Sequence, residues 1–510
     1  MPVNSAAAPG TLRSRKELFA LLGLTATLLV GTMPAEIYPG DAFAFREEAR
    51  NMLLHRSLDV GGGVQMPSAP GQYFVKNPVD GLYYSKYGVV NGLMSLPPLA
   101  AEWLLSGKVP TLVGTHRLLL LNLYNVVLSL LIAACLLDIV AEYVQRPAVR
   151  LLFVLSCLFA TFLWNYLRAQ SGEIFQVLFF AGFFRSHQRL IKQPDSLRLL
   201  LLPWLWIAAL TLTRLSYGLL VPLYAIALLT WLRTEQTSPA RRLLRIAFPV
   251  AAIAALVMVL NIIKFGSAFH GGYDVWHPDW HRPASLAGVL GFLVDPQRSI
   301  FVHFPVLLPA VVGWPGFLRR YRGDALLLLV IFVAFLFALG SLPSWRGEWS
   351  YGPRYLCFLL PLLSLPAATW FDDLFAAGPQ WIRRTTVAVV APLFLWSCAL
   401  QWGVNMLEFF AYYRLSGWVS MPRYVESHRY FEHRTFGRTN WDLILAAPEY
   451  DRLPYVREFV ANVAHSEKDD LAYLDLIRGV REHVNLYWWG GPIGEATLES
   501  GAPSADTVQE

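Results

Sequence analysis

The chain has 510 residues, 55% of them hydrophobic and only 15% charged, with a mean hydropathy of +0.41. That balance excludes a soluble globular domain and describes a polytopic membrane protein. The formal net charge of +6 does not mark a nucleic-acid binder, because the Lys and Arg residues stand in short clusters between apolar runs, as they do in cytoplasmic loops.

A transmembrane helix needs about 20 mostly apolar residues. In chain order the candidates are 17–35, 117–138, 150–164, 171–187, 198–213, 215–233, 246–263, 299–317, 324–341, 354–371 and 385–403. The first run follows Arg13, Arg15 and Lys16 and lacks a small-residue cleavage site, so a retained helix is expected. One further run, 88–104, contains Asn91 and the pair Pro97–Pro98 and carries Glu102, which suits a lipid-facing span poorly. Charge decides its role. If it does not cross, the clusters Arg146/Arg150, Arg185/Arg189/Lys192/Arg198, Arg233/Arg241/Arg242/Arg245, Arg319/Arg320/Arg322 and Arg383/Arg384 all share the side of the basic N-terminus; if it crosses, all move to the opposite face. The expectation is therefore eleven spans, with 88–104 re-entrant or interfacial, the N-terminus cytoplasmic and the C-terminal region outside.

This threading divides the chain into a cytoplasmic N-terminus (1–16), a membrane domain (17–403) with a long first outer loop (36–116), an extracytoplasmic region (404–491) and a polar, acidic tail (492–510) expected to be disordered. Cys135, Cys157, Cys357 and Cys398 lie in apolar runs without CxxC spacing, so neither a disulfide framework nor a zinc site is expected. No repeat at a fixed period is evident, which disfavours an inverted-repeat transporter.

Acids and cations collect at the outer ends of the spans: Glu36, Asp41, Glu173, Asp274, Asp279 and Glu348, with Lys86, Arg168, Arg214, Lys264, Arg346 and Arg354. Residues 43–54 alternate Phe43, Phe45, Ala49, Met52, Leu53 and Leu54 with Arg46, Glu47, Glu48 and Arg50, which predicts an interfacial helix starting at Asp41. Asp41 then has two roles open to it. It can cap that helix, or it can serve as a general base whose pKa is adjustable by partial burial. Arg214, in "LTLTRLSYG", lies between two apolar runs that meet at the outer face, where a cation has no topological use and calls for an anion. An aromatic belt accounts for Trp345, Trp349, Tyr351 and Tyr355, but not for Arg346, Glu348 and Arg354 among them. Lys86 and Arg168 have snorkelling as their plain alternative.

The stretches "GDAFAFREEARNML", "YYSKYGVVNGLMSLPPL", "FLWNYLRAQSGEIF", "LTRLSYG", "NIIKFGSAFHGGY", "VDPQRSIFVHFP" and "WRGEWSYGPRYLCFLLPLL", in that order and on one face, resemble the pattern of bacterial polytopic GT-C glycosyltransferases. These belong to the superfamily of protein O-mannosyltransferases and the lipid A aminoarabinose transferase, and the resemblance covers about residues 17–403. It implies an all-α GT-C-type bundle of about eleven transmembrane helices in the bacterial inner membrane, with the active site facing outward. It also implies a hexosyl- or pentosyltransferase that takes a sugar from a polyprenyl phosphate carrier and passes it to a glycan, lipid or protein acceptor. The acid of the first outer loop, usually catalytic, carries over to Asp41 and the second acid to Glu173. Where some members have an Asp-Glu pair this chain has Ala42 after Asp41, so the acceptor class does not carry over. Metal use varies across the superfamily, which leaves a divalent metal open.

The chemistry asks for the same residue types. A base must deprotonate the acceptor hydroxyl, and cations must hold the departing phosphate; Lys86, Arg214, Arg346 and Arg354 are the candidates. Glu36, Tyr87, Arg168, Tyr273, Glu348 and Tyr351 are expected to contact substrate, the aromatics by stacking on sugar faces. No nucleotide-binding Gly-rich loop is present or needed. The competing readings are a lipid or polysaccharide transporter and a glycan ligase or polymerase. Transport is disfavoured by the scarcity of ionisable residues deep in the spans.

Overall fold

The computed structural model describes residues 14–34, 40–60, 73–107, 109, 119–168, 171–232, 239–272, 286–295, 298–342, 345 and 351–406. Glu36, Tyr273, Arg346 and Glu348 lie outside the described residues, as do Asp274, Asp279 and everything after Met406. The chain divides into two units, one of Met1–Val30 with Pro39–Cys398 and the other of Gly31–Tyr38 with Ala399–Glu510. Of the second, residues 31–34 and the end of the last helix are described, and in the latter the Asn405 side chain donates to the Gln401 carbonyl at 2.7 Å. All that follows concerns the first.

The first helix, α1 (Arg15–Gly31), opens on a reciprocal cap. The Glu17 amide donates to Ser14 Oγ at 3.1 Å and the Ser14 amide to Glu17 Oε2 at 3.2 Å, satisfying two end donors at once. The helix α2 (Gly40–His55) starts where the sequence predicts, but it is not a surface amphipath. Ala42 to Ala49 are all buried, Arg46, Glu47 and Glu48 included. The reason is that its polar side packs against protein. Next comes a hairpin absent from the sequence reading, β1 (Phe74–Lys76) antiparallel to β2 (Tyr83–Ser85), with Phe74 opposite Ser85. Asp80 closes its turn, accepting from the Leu82 amide at 2.8 Å and the Tyr84 hydroxyl at 2.7 Å.

The ambiguous run forms one helix, α3 (Val89–Ser106), with Pro97 and Pro98 inside it and a left-handed Gly107 at its end. It packs along α2. The spans follow as α4 (Leu119–Val140), α5 (Pro147–Phe159) with α6 (Leu163–Arg168), α7 (Gly172–Lys192), α8 (Leu197–Thr211), a 3-10 turn (Leu215–Leu219) with α9 (Leu220–Leu232), and α10 (Pro239–Phe265). Then come the short α11 (Leu286–Val294), α12 (Ile300–His303) with α13 (Leu307–Arg320), α14 (Arg322–Gly340), a 3-10 turn (Arg354–Leu356) with α15 (Leu360–Leu363) and α16 (Leu365–Ala377), and α17 (Gln380–Met406). Each predicted span has its helical counterpart. Among the described residues four uninterrupted segments, Leu119–Val140, Leu243–Phe265, Arg322–Gly340 and Gln380–Ala399, are long and apolar enough to cross a membrane. Several others are broken, and partners take over the freed backbone groups. Between α5 and α6 the Phe162 amide donates to the His303 carbonyl at 3.0 Å, and Thr161 Oγ1 accepts from the Leu163 amide at 3.2 Å. Such breaks are tolerated at membrane depth only where neighbouring protein satisfies them.

The charges sort to the two ends of this bundle. At one end Arg150 pairs with Glu17 at 3.3 Å, Arg146 with Asp372 at 3.4 Å, Arg185 with Glu142 at 2.7 Å and Arg320 with Asp373 at 3.2 Å. Lys192 also bonds Glu142, and Tyr143 donates to Asp324 at 2.6 Å. These ties join the start of α1, the α4–α5 link, the end of α7, the α13–α14 link and the end of α16. That is the parity the sequence gives when 88–104 does not cross. Glu173 stands at the opposite end of α7, in its first turn.

Candidate active site

Three stretches far apart in sequence meet at that far end. The first turn of α2 supplies Asp41, the chain leaving β2 supplies Lys86 and Tyr87, and the turn Gly352–Pro353 supplies Arg354. Asp41 is the second residue of α2, and its side chain is engaged tertiarily. Tyr87 Oη donates to Oδ1 at 2.5 Å, and Arg354 Nη1 lies 3.3 Å from Oδ2. Arg354 reaches a second acid, its Nε lying 3.8 Å from Oε1 of Glu173 in the first turn of α7. The Asp41 side chain is 27% exposed against 15% for Arg354 and 6% for Glu173, so Asp41 is the carboxylate that an incoming molecule can reach.

Burial pushes the Asp41 carboxyl up, but the charge of Arg354, that of Lys86, the Tyr87 hydrogen bond and the charge of Arg214 together outweigh it and hold the group below its ordinary 3.8. Asp41 is therefore ionised throughout the neutral range. Partial burial alone would have made it a stronger base; the cations reverse that expectation.

The cations are themselves organised by aromatic rings. The Arg214 guanidinium lies 4.3 Å and that of Arg354 5.2 Å from the centre of the Tyr355 ring. Lys86 Nζ lies 5.2 Å from the Tyr87 ring and 5.9 Å from the Tyr73 ring. A ring face attracts cations, so Tyr355 gathers two guanidiniums that would otherwise repel each other.

Local backbone explains why these groups converge. Gly88 follows Tyr87, and its amide donates to the Thr213 carbonyl at 3.2 Å; the Val90 amide donates to Leu212 at 3.1 Å and the Asn91 side chain to Thr213 at 2.8 Å. The start of α3 is thereby laced to the two residues that precede Arg214. A side chain at position 88 has no room, since its Cβ would stand 1.9 Å from the Leu212 carbonyl oxygen. Gly352 turns the chain into Arg354 with a φ of 65°, a conformation that suits glycine. Its carbonyl accepts from Arg298 at 3.2 Å.

Asp41, Lys86, Tyr87, Glu173, Arg214 and Arg354 are thus gathered in one place. Tyr351 is buried three residues before Arg354, with its carbonyl accepting from Tyr166 at 2.8 Å and its ring edge-on to His303 at 5.1 Å. Arg168 ends α6, buried, with its carbonyl accepting from Asn125 at 3.2 Å. Two participants escape the sequence reading: Tyr355, which passes for an interfacial aromatic, and Glu48, which passes for a solvated face of α2. The adjacency of Tyr355 to Arg354 is the one signal for the former. Cys135, Cys157, Cys357 and Cys398 form no disulfide, and among the described residues no three His, Cys, Asp or Glu side chains come together as a metal would require.

No protein-family model matches the sequence, and neither does any curated protein. Among solved structures, the chain is similar to the archaeal oligosaccharyltransferase AglB from Archaeoglobus fulgidus in complex with an inhibitory peptide and a dolichol-phosphate, at 12% identity over 90% of this chain and a TM-score of 0.47. This chain spans 59% of the length of that one. It is also similar to ArnT from Cupriavidus metallidurans, in the apo state at 14% identity over 84% of this chain and 78% of that one with a TM-score of 0.48, and bound to undecaprenyl phosphate at 14% over 84% and 79% with a TM-score of 0.41.

Proposed function

We propose that the protein is a membrane glycosyltransferase that moves a sugar from a polyprenyl phosphate carrier to an acceptor hydroxyl. The observation that carries this reading is the carboxylate of Asp41, accessible and ionised, hydrogen-bonded by Tyr87 and ringed by Arg354, Lys86 and Arg214. An anionic base among cations suits a reaction in which a proton leaves one partner while negative charge grows on the other. The acceptor oxygen attacks C1 of the sugar, the C1–O bond to phosphate breaks with its electron pair going to the phosphate, and the acceptor proton passes to Asp41. The carrier phosphate gains one negative charge in this step, and Arg354, Arg214 and Lys86 stabilise it.

In this reading Glu173 holds Arg354 at the height of the phosphate. The bond between Tyr87 and Asp41 turns the free oxygen of the base toward the acceptor. Donor phosphate also tunes the base: it draws on the charge that holds Asp41 down, so the carboxylate becomes more basic when the donor is in place. By the positive-inside rule the N-terminus and the salt-bridged end are cytoplasmic and the site faces outward, at the outer surface of a bacterial inner membrane. Single-turnover transfer from a purified polyprenyl phosphate sugar, wild type against Asp41→Asn, is the test. Equal rates in the two proteins would return Asp41 to a structural role.

A further inference from the structure

Tyr87 can hold Asp41 only if its own backbone is fixed, and the structure fixes it with a buried ion pair. At the end of α10, Lys264 Nζ donates to Glu48 Oε1 at 2.7 Å and to the Tyr87 carbonyl oxygen at 2.7 Å. Both side chains are sealed off, 3% and 0% exposed. Glu48 lies on α2 two turns beyond Asp41, so one ammonium ties together the helix that carries the base, the residue that holds the base, and a span from the second half of the chain. The site is shaped around the pair. Glu48 Oε2 faces α3 at Gly92, where a Cβ would lie only 3.0 Å from it. The span that carries Lys264 is locked to the hairpin too, through the bond from Asn77 Nδ2 to the Ile263 carbonyl at 3.0 Å.

A buried ion pair is a weak device for stability alone, because desolvation offsets most of its attraction. Its use here is geometric. We infer that Lys264 is a positioning residue that, paired with Glu48, sets the distance between the Tyr87 hydroxyl and Asp41. This inference rests on the transferase reading for its kinetic consequences, but not for its structural one. The Tyr87 amide is held separately, donating to Ser85 Oγ at 3.3 Å; releasing the carbonyl leaves the residue free to pivot about that end.

The test replaces the pair by neutral side chains of similar size, Glu48→Gln with Lys264→Met, which avoids a lone buried charge. Lys264→Met alone serves as the second variant. Two readouts are taken on detergent-purified, monodisperse full-length protein. The first is the 19F resonance of 3-fluorotyrosine placed at position 87, titrated with pH. The second is single-turnover transfer from polyprenyl phosphate sugar, with the Tyr87→Phe background as partner. Expected are a shifted fluorine resonance that no longer follows Asp41, a turnover lower by up to about tenfold with donor KM changed less than about twofold, and an acid limb moved upward. The loss should be non-additive with Tyr87→Phe, because both act through one hydrogen bond. A wild-type fluorine resonance in the folded double variant overturns the inference, whatever its turnover. So does a loss fully additive with Tyr87→Phe. Should wild type show no transfer, the transferase reading falls while the fluorine measurement still decides the role of Lys264.

Discussion

Tyr87 and Asp41, 46 residues apart in the chain, are joined by a hydrogen bond of 2.5 Å. The bond does two jobs that substitution can separate. Asp41→Asn keeps the shape of the side chain and its fitness for a helix start but removes the proton-accepting oxygen pair, and single-turnover transfer should fall by about 10²–10⁴-fold with donor binding nearly kept. Tyr87→Phe leaves the base but frees its orientation. Its loss should be smaller, about tenfold, and should appear in kcat before KM.

The pH dependence follows from the cations. The surrounding cations and Tyr87 hold the Asp41 carboxyl below its ordinary 3.8, so it is ionised at neutrality, and if it is the base, activity should hold as pH falls, declining only beneath the ordinary carboxylate range. Arg354→Met removes the largest opposing charge and leaves burial to act. The acid limb of kcat/KM should move upward in that variant, and a profile superimposable on wild type would show that Arg354 does not set the charge state of Asp41. For stability the sign is the same: a depressed pKa stabilises the fold above the unfolded value and loses that contribution as pH falls through the folded one.

Donor binding should separate Arg214 from mere packing. Arg214→Ala is expected to weaken binding of a non-transferable polyprenyl phosphate by about 2–5 kcal/mol, the range for loss of a desolvated charge partner. Tyr355→Leu keeps both guanidiniums but removes the ring between them; isothermal titration should show an intermediate loss, with the enthalpy less favourable.

Orientation can be read from two exposed positions at opposite ends. Val79, in the hairpin turn, is 78% exposed and Trp381, at the start of α17, is 70% exposed. In a cysteine-free background, Val79→Cys should react with a membrane-impermeant maleimide on intact cells from which the outer barrier has been removed, and Trp381→Cys only after lysis. The reverse pattern would put the site inside.

At the salt-bridged end, Arg150→Ala leaves Glu17 buried without its charge partner, and should destabilise by about 3–5 kcal/mol. Adding Glu17→Gln should recover much of that, since the uncompensated charge goes with it. Thermal unfolding in a fixed detergent measures both.

The spans were legible in the sequence because apolar length and basic clusters are properties of short windows, and the parity argument about 88–104 agrees with where Glu17, Arg150, Glu142 and Asp372 meet. The interruptions at Thr161 and Leu212 were not legible, since the partners that satisfy them, His303 and the start of α3, lie far along the chain. The convergence of Asp41, Lys86, Arg214 and Arg354 could be suspected from their common face. The burial of Glu48 could not: its alternation with apolar neighbours has the same period whether its polar side meets water or, as here, a lysine 216 residues away.

The helix α7 joins the two ends, with Glu173 in its first turn and Arg185 and Lys192 tied to Glu142 near its last. Its 21 residues span about 30 Å at 1.5 Å each, which is the thickness of a bilayer's hydrocarbon core. If the proposed transfer takes place at this site, the lipid becomes a component of its geometry. On the transferase reading proposed above, a carrier phosphate rides at the headgroup plane and meets Arg354, whose Nε lies 3.8 Å from Glu173. In a thicker bilayer that plane rises past the guanidinium, and in a thinner one it sinks below it, unless tilt absorbs the difference. Acyl-chain length in a proteoliposome should therefore act on this protein as a tuning screw for donor capture, with an optimum set by the length of one helix.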